Sequence, residues 1–146
     1  MKGGGHANNP GFSSTKGVQI ALARFNATKV DSHSGTVEVG AGLTWGQVYE
    51  VLEPTGVNVI GGRVPGIGVA GLTLGGGECL PSSASESRIC GSHTLLGYSY
   101  KSSEYGLTVD NVAGYELVLP NGTVINVTSK DEDLWFGLRV RLDKSQ

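Results

Sequence analysis

Apolar and polar positions alternate in GTVEVGAG, Gly35 to Gly42, where Val37 and Val39 flank Glu38. That period of two predicts a half-buried strand. In TWGQVYEVLEPTG the period changes: Val48, Val51 and Leu52 share a helical face, Thr44 stands at the cap with Gln47 three residues on, and Pro54 and Gly56 close the segment. A helix is expected there. Upstream, GVQIALARF (Gly17 to Phe25) is apolar but too short for its period to separate strand from helix, and NATKVDSHSG between it and the strand reads as a polar turn holding His33. NVIGG reads as a short apolar strand that runs into a glycine-rich stretch. In DNVAGYELVLPNGTVINVT, Asp110 to Thr128, two β-rich runs meet at PNG, and Asn121-Gly122 suits a turn that needs positive φ, so a hairpin is expected. SKDEDLWFGL then predicts a second helix, with Ser129 and Glu132 as its capping box and acidic residues facing the positive end of the helix dipole. Strands with intervening helices argue an α+β fold.

A length of 146 residues bounds the chain to one domain or part of one. The net charge of −2 and the lack of any Lys/Arg cluster argue against a nucleic-acid partner. No apolar run approaches the roughly 20 residues of a membrane helix, so no membrane partner is expected either. The opening MKGGGHANNP lacks the apolar core of a signal peptide, while the sequons Asn26-Ala-Thr, Asn121-Gly-Thr and Asn126-Val-Thr matter only in a secretory compartment. Localisation is therefore left open. Cys79 and Cys90 have no metal-ligand spacing, so a zinc site is not supported.

The chemistry concentrates in GGRVPGIGVAGLTLGGG, where eight glycines fall between Gly61 and Gly77. Gly66, Gly68 and Gly71 spell G-x-G-x-x-G. In a Rossmann site a helix starts at once behind such glycines and holds the pyrophosphate on its N-terminus. Here LTL and three more glycines follow, which predicts no helix, since each interior glycine costs about 1 kcal/mol relative to alanine. The ribose-binding acid expected about 20 residues on would fall near ASESR, with no strand pattern before it. Turns alone do not call for glycines at this density. Backbone N–H groups laid along a phosphate-bearing ligand do, and a pyrophosphate cradle without a Rossmann helix is the better physical reading.

Three stretches carry a family resemblance: GGGHANNPGFSSTKGVQIALARFN, GTVEVGAGLTWGQVYEVLEPTGVNVIGGRVPGIGVAGLTLGGG and YSYKSSEYGLTVDNVAGYELVLPNGTVINVTSKDEDLWFGLR. Together they resemble the FAD-binding, PCMH-type domain of fungal berberine-bridge-enzyme-like oxidoreductases, within the vanillyl-alcohol-oxidase and p-cresol-methylhydroxylase superfamily. The resemblance implies FAD as cofactor. It places Gly3, Gly4 and Gly5 of KGGGHA at the pyrophosphate and His6 at the flavin 8α-methyl, where the family's histidine usually forms a covalent bond, and it counts Ala7 among the cofactor-binding residues. It makes Pro65, Gly66, Gly68, Val69, Gly71, Leu72, Gly75 and Gly76 the opposing wall. Some relatives carry a second, cysteine tether just before the proline of this loop; Val64 stands there, so a double attachment is not expected. YGLTVDNV resembles the segment that returns past the cofactor, offering Tyr105, Gly106, Asp110 and Asn111, and Val124 to Val127 would pass near the adenine. A structural turn leading into the hairpin explains those four residues equally well. The implied reaction is oxidation of a C–H(O–H) or C–H(N–H) centre of a small molecule by hydride transfer to FAD.

The resemblance also implies departures. Residues 1–139 read as a partial domain that starts at the first pyrophosphate loop and stops before the end of the flavin domain and the substrate domain, so no catalytic residue is assigned; 140–146 read as a tail foreign to the family. On that basis the chain is expected to be inactive alone, with full-length relatives secreted. Relatives pass from LGGG almost directly to YSY, whereas Glu78 to Gly97 intervene here. As a plain insertion this segment reads as a surface loop that a Cys79–Cys90 disulfide could close; but Gly77-Glu78-Cys79 can be encoded with the splice-donor string GTGAGT, and Val140-Arg141 with a donor-like GTAAGA, so a retained intron is the sharper expectation. Two other classes compete: a noncatalytic secreted module whose glycines make turns, and a nicotinamide Rossmann enzyme.

Overall fold

The computed structural model describes residues 1–4, 6, 11, 14–75 and 100–139. The predicted strand at GTVEV forms as β2 (Thr36–Val39) and pairs antiparallel with β1 (Thr28–Asp31), in the register Thr28↔Val39 to Asp31↔Thr36. Four of the ten residues of the expected polar turn are therefore strand. Val30 and Thr28 face inward opposite Val37 and Val39, and the turn is confined to the residues after Asp31, whose Oδ1 accepts the His33 N–H at 2.9 Å. Gly35 closes it at φ +69°. The Lys29–Glu38 pair across the strands is well exposed and contributes little.

The predicted first helix is α1 (Trp45–Leu52). Thr44 and Gln47 pair as expected: the Thr44 N–H donates to Gln47 Oε1 at 2.9 Å, and the Thr44 hydroxyl lies 3.2 Å from the same oxygen. The buried stripe is Trp45, Val48 and Leu52, while Val51 is 48% exposed at the edge of the face. A 3₁₀ turn (Glu53–Thr55) and Gly56 at φ +71° end the element. Leu43, Trp45, Val48, Leu52, Ile67, Val69 and Leu72 form one core, with Val30, Val37, Val39, Tyr49 and Val59 packed on it. Burying such side chains is the main force holding α1 on the first hairpin.

The glycine-rich stretch departs from expectation. A helix, α2 (Val69–Leu74), begins directly behind Gly68. The glycine penalty is outweighed because Val69, Leu72 and Thr73 turn into the core and the Thr73 hydroxyl bonds the Val69 carbonyl at 2.8 Å. Gly71 is the only glycine inside it, and Gly75 ends it. The absence of a helix therefore does not exclude a Rossmann site. Other features do: α2 spans six residues, NVIGG is not a strand, and the described sheets are two antiparallel hairpins. GVQIALARF is also neither strand nor helix. It makes one parallel bridge, in which the Lys2 N–H bonds Ile20 O and the Leu22 N–H bonds Lys2 O, both at 2.8 Å.

After the undescribed segment come α3 (Ser102–Tyr105), a 3₁₀ turn (Thr108–Asn111) and the expected hairpin of β3 (Tyr115–Val118) with β4 (Val124–Val127), turning through Gly122 at φ +83°. The last helix, α4 (Glu132–Leu138), starts later than predicted. Asp131, not Ser129, is its cap residue, because Ser129 and Lys130 are taken up in a turn and Asp131 Oδ2 reaches back to the Thr128 N–H at 2.9 Å. Mixed short strands and helices make the fold α+β. No helix among the described residues is long and apolar enough to cross a membrane. Gly5, Ala7, Gly76, the 78–97 segment with Cys79 and Cys90, and the 140–146 tail lie outside the described residues.

Candidate functional site

The two glycine loops meet. An added Cβ on Gly4 would stand 2.5 Å from Gly68 Cα and 2.7 Å from Gly68 N, and one on Gly68 would stand 2.7 Å from Gly4 N. Gly68 has an ordinary φ of −68°, so glycine is required here for space and not for a special dihedral. Backbone lies against backbone, with Thr44 Cγ2 alongside at 3.6 Å from the Gly4 position. Gly3 is less crowded, its Cβ position 3.4 Å from the Ala41 carbonyl oxygen. His6 follows two residues after Gly4 and is half-buried.

The second loop is pinned to the start of α1. The Val69 N–H bonds Leu43 O, the Trp45 N–H bonds Ile67 O and the Gly46 N–H bonds Pro65 O, each at 2.9 Å. Gly46 permits this approach, since a Cβ there would lie 2.9 Å from Pro65 Cβ. Gly61 and Gly62 lie on the Trp45 and Tyr49 rings, whose centroids are 5.9 Å apart. A Cβ on Gly62 would come within 2.8 Å of Trp45 Cδ1 and 2.6 Å of Leu72 Cδ1. Those two glycines therefore serve packing within the chain. Within the second loop, Gly66 and Gly71 differ from these: both are exposed, and a Cβ on either would meet nothing within 4 Å.

Val69 and Leu72, expected along the wall, turn their side chains into the core, at 7% and 0% exposure. Their backbone N–H groups are occupied as well, by Leu43 O and Gly68 O. Pro65 is exposed, and Gly75 is half-buried with its N–H on Gly71 O at 3.0 Å. The structure thus sets Gly4 against Gly68, within the loop that also carries Pro65, Gly66 and Gly71, and uses Val69 and Leu72 to seat that loop.

Tyr105, Gly106, Asp110 and Asn111 form a turn that is held by its own side chains. Asp110 Oδ2 accepts the Leu107 N–H at 2.9 Å, Asn111 Nδ2 donates to Tyr105 O at 3.0 Å and to Leu107 O at 2.8 Å, and Gly106 takes φ +81°. Asp110 Oδ1 also meets an Arg139 guanidinium nitrogen at 3.4 Å. These contacts give Asp110 and Asn111 a structural task. Asp110→Ala is expected to lower the stability of the full chain by about 1–2 kcal/mol, through the lost bond to the Leu107 N–H and the stranded Arg139. Urea unfolding at neutral pH measures it.

Tyr49 and Trp45 were not singled out by sequence, because a tyrosine one position off the apolar stripe carries no motif. The Tyr49 hydroxyl donates to Gly62 O at 2.9 Å. Burial, and secondarily Tyr100, push its phenol up to about 12. A phenol whose folded-state value lies above its ordinary 10.0 adds stability that is complete below that value and is lost as pH rises through about 12. Wild type is thus expected to lose stability more steeply than Tyr49→Phe between pH 10 and 12, read by thermal melts across that range.

The FAD binding domain family matches residues 1–80, more than half of the chain. The FAD-dependent monooxygenase FUP4 of Fusarium proliferatum is 38% identical over 141 residues, covering 95% of this chain and 23% of its own length. The chain thus spans about a quarter of that relative. Among solved structures, a chitooligosaccharide oxidase superposes with a TM-score of 0.62 at 28% identity, over 81% of this chain and 21% of that one. A glucooligosaccharide oxidase from Acremonium strictum, described with a 6-S-cysteinyl, 8α-N1-histidyl FAD, superposes with a TM-score of 0.62 at 25% identity, over 82% of this chain and 21% of that one.

Proposed function

The chain belongs to the FAD binding domain family of berberine-bridge-enzyme-like, FAD-linked oxidoreductases, and from that premise we propose that its two glycine loops cradle the FAD pyrophosphate between them and that His6 tethers the flavin. The cofactor is FAD; the readings as a glycine-rich β module or a nicotinamide enzyme give way to it. The observation that carries the proposal is the backbone contact of Gly4 with Gly68, which sets the two loops edge to edge. Beside that contact, Gly66 and Gly71 leave open the space that a Cβ would fill. The donor chemistry fits as well, since backbone amides in glycine-rich loops bind phosphate oxygens without a fixed positive charge.

Bound FAD would supply the acceptor for a hydride removed from a C–H(O–H) or C–H(N–H) centre of a small-molecule substrate. This chain's part is to bind and orient. Gly3 and Gly4 let the first loop run close to the phosphates, Gly66 and Gly71 do the same for the second, and His6, two residues past Gly4, offers a half-buried imidazole for attachment. Val64 occupies the position where some relatives carry a cysteine tether, so attachment through His6 alone is proposed. Tyr105, Gly106, Asp110 and Asn111 would form the return segment, with Asp110 and Asn111 fixing its shape. Substrate oxidation by the chain alone is not proposed. The exposed sequons Asn26, Asn121 and Asn126 would carry glycans if the chain enters a secretory compartment.

The test is the colour of the protein. Purified full-length chain reconstituted with FAD is expected to be yellow and to stay yellow through acid precipitation. His6→Ala is expected to bind FAD but to release all of it into the acid supernatant. A colourless wild type that ignores added FAD sinks the proposal, and flavin that remains attached in His6→Ala sinks the tether.

A further inference from the structure

We infer that Tyr49 is a positioning residue for the FAD site: its hydroxyl fixes one foot of the arch Gly62–Val69 and so sets how the exposed crown of that arch meets the cofactor. The inference rests on the FAD-cradle reading. The arch has two feet, both on the segment Leu43–Tyr49. At the far foot, backbone groups of Leu43, Trp45 and Gly46 bond Val69, Ile67 and Pro65, a seam that no side-chain substitution removes. Among the described residues the near foot shows a side-chain anchor instead, the bond from Tyr49 Oη to Gly62 O at 2.9 Å. The rings beneath it fit closely. A Cβ on Gly61 would stand 2.7 Å from Tyr49 Oη, and Trp45 lies under both glycines. Between the near foot and the seam, which begins at Pro65, lie Arg63 and Val64; Val64 is exposed there, and Pro65 and Gly66 are exposed at the seam's edge, Gly66 facing open space.

A loop that must present backbone amides to an extended anion binds best when its ends are already fixed, because ordering it on binding costs affinity. Tyr49→Phe removes the hydroxyl and keeps the ring against Trp45 and the core. The near foot then loses its hydrogen bond from α1, and Arg63 and Val64 gain freedom that FAD must freeze out.

The experiment uses the full chain, as wild type and Tyr49→Phe, with two measurements. FAD affinity is read by quenching of flavin fluorescence, and the melting temperature is read with and without saturating FAD. Tyr49→Phe is expected to weaken FAD binding about three- to tenfold and to shrink the FAD-induced rise in melting temperature, with altered visible circular dichroism of the bound flavin. A purely structural tyrosine would lower the apo and FAD-loaded melting temperatures in parallel and leave the affinity unchanged, and that result overturns the inference. Amide hydrogen exchange gives a second readout: faster exchange at Arg63 and Val64 with α1 unchanged supports the anchor, and unchanged exchange at those two residues contradicts it. If wild type itself shows no FAD-induced rise, the cradle reading has failed; if wild type binds and Tyr49→Phe binds equally well, the inference alone has failed.

Discussion

Gly4→Ala is expected to abolish FAD retention and to destabilise the chain by about 2–3 kcal/mol. The added methyl would stand 2.5 Å from Gly68 Cα and 2.7 Å from Gly68 N, both backbone atoms, so no rotamer change can relieve the clash. The loops must part, and a separation of even an ångström takes amides on one side out of hydrogen-bond range of a bound pyrophosphate. Gly68→Ala is expected to do the same from the opposite side, meeting Gly4 N at 2.7 Å. A loss of at least about a hundredfold in FAD affinity, equivalent to about 3 kcal/mol, is the size expected if several amide contacts fail together. Titration with FAD and urea melts of both variants measure the two effects separately.

Leu72→Ala is the second large effect. The side chain is fully buried, shares the core with Leu43, Trp45, Val48, Leu52, Ile67 and Val69, and supports Gly62 from below through its Cδ1. A leucine-to-alanine change at such a site costs about 3–5 kcal/mol, the transfer term plus a cavity term. The core has few members, so most of it feels the loss. The expected result is a chain largely unfolded at 25 °C, seen as a collapsed thermal transition. Stability within about 1 kcal/mol of wild type would show that α2 is not held by this core.

The elements with a dense local code were legible in the sequence. α1 announced itself through the Thr44–Gln47 pair and its apolar stripe, and the β3–β4 hairpin through Asn121-Gly122, because both signals act over a few residues. Where tertiary packing decides, the sequence misled. α2 forms across glycine-rich chain because Val69 and Leu72 have a core to enter, and neither residue's local neighbours reveal that. β1 lay hidden in polar residues because a single inward valine, Val30, suffices once Val37 and Val39 stand opposite. Asp131 displaced Ser129 at the cap of α4 through a choice between two overlapping capping patterns, Thr128 with Asp131 and Ser129 with Glu132.

The site divides in the same way. Glycine density marked out the stretch but could not say which glycine does what. Gly61 and Gly62 make room for Trp45 and Leu72, Gly46 for Pro65, and Gly68 for Gly4; only the structure separates these from Gly66 and Gly71, which make room for nothing in the described chain. Tyr49 carried no sequence signal, since its contribution depends on a carbonyl thirteen residues away.

That division gives the most direct measurement of the central claim, which is that open glycines face the cofactor and crowded ones hold the loops. Gly71→Ala in the full chain is the discriminating variant, compared with wild type for both stability and FAD affinity. Its methyl meets nothing in the described chain and lies within α2, where alanine is favoured over glycine by up to about 1 kcal/mol. The predicted result is a chain at least as stable as wild type that binds FAD at least about tenfold more weakly. Unchanged or tighter FAD binding by that equally stable variant would contradict the claim.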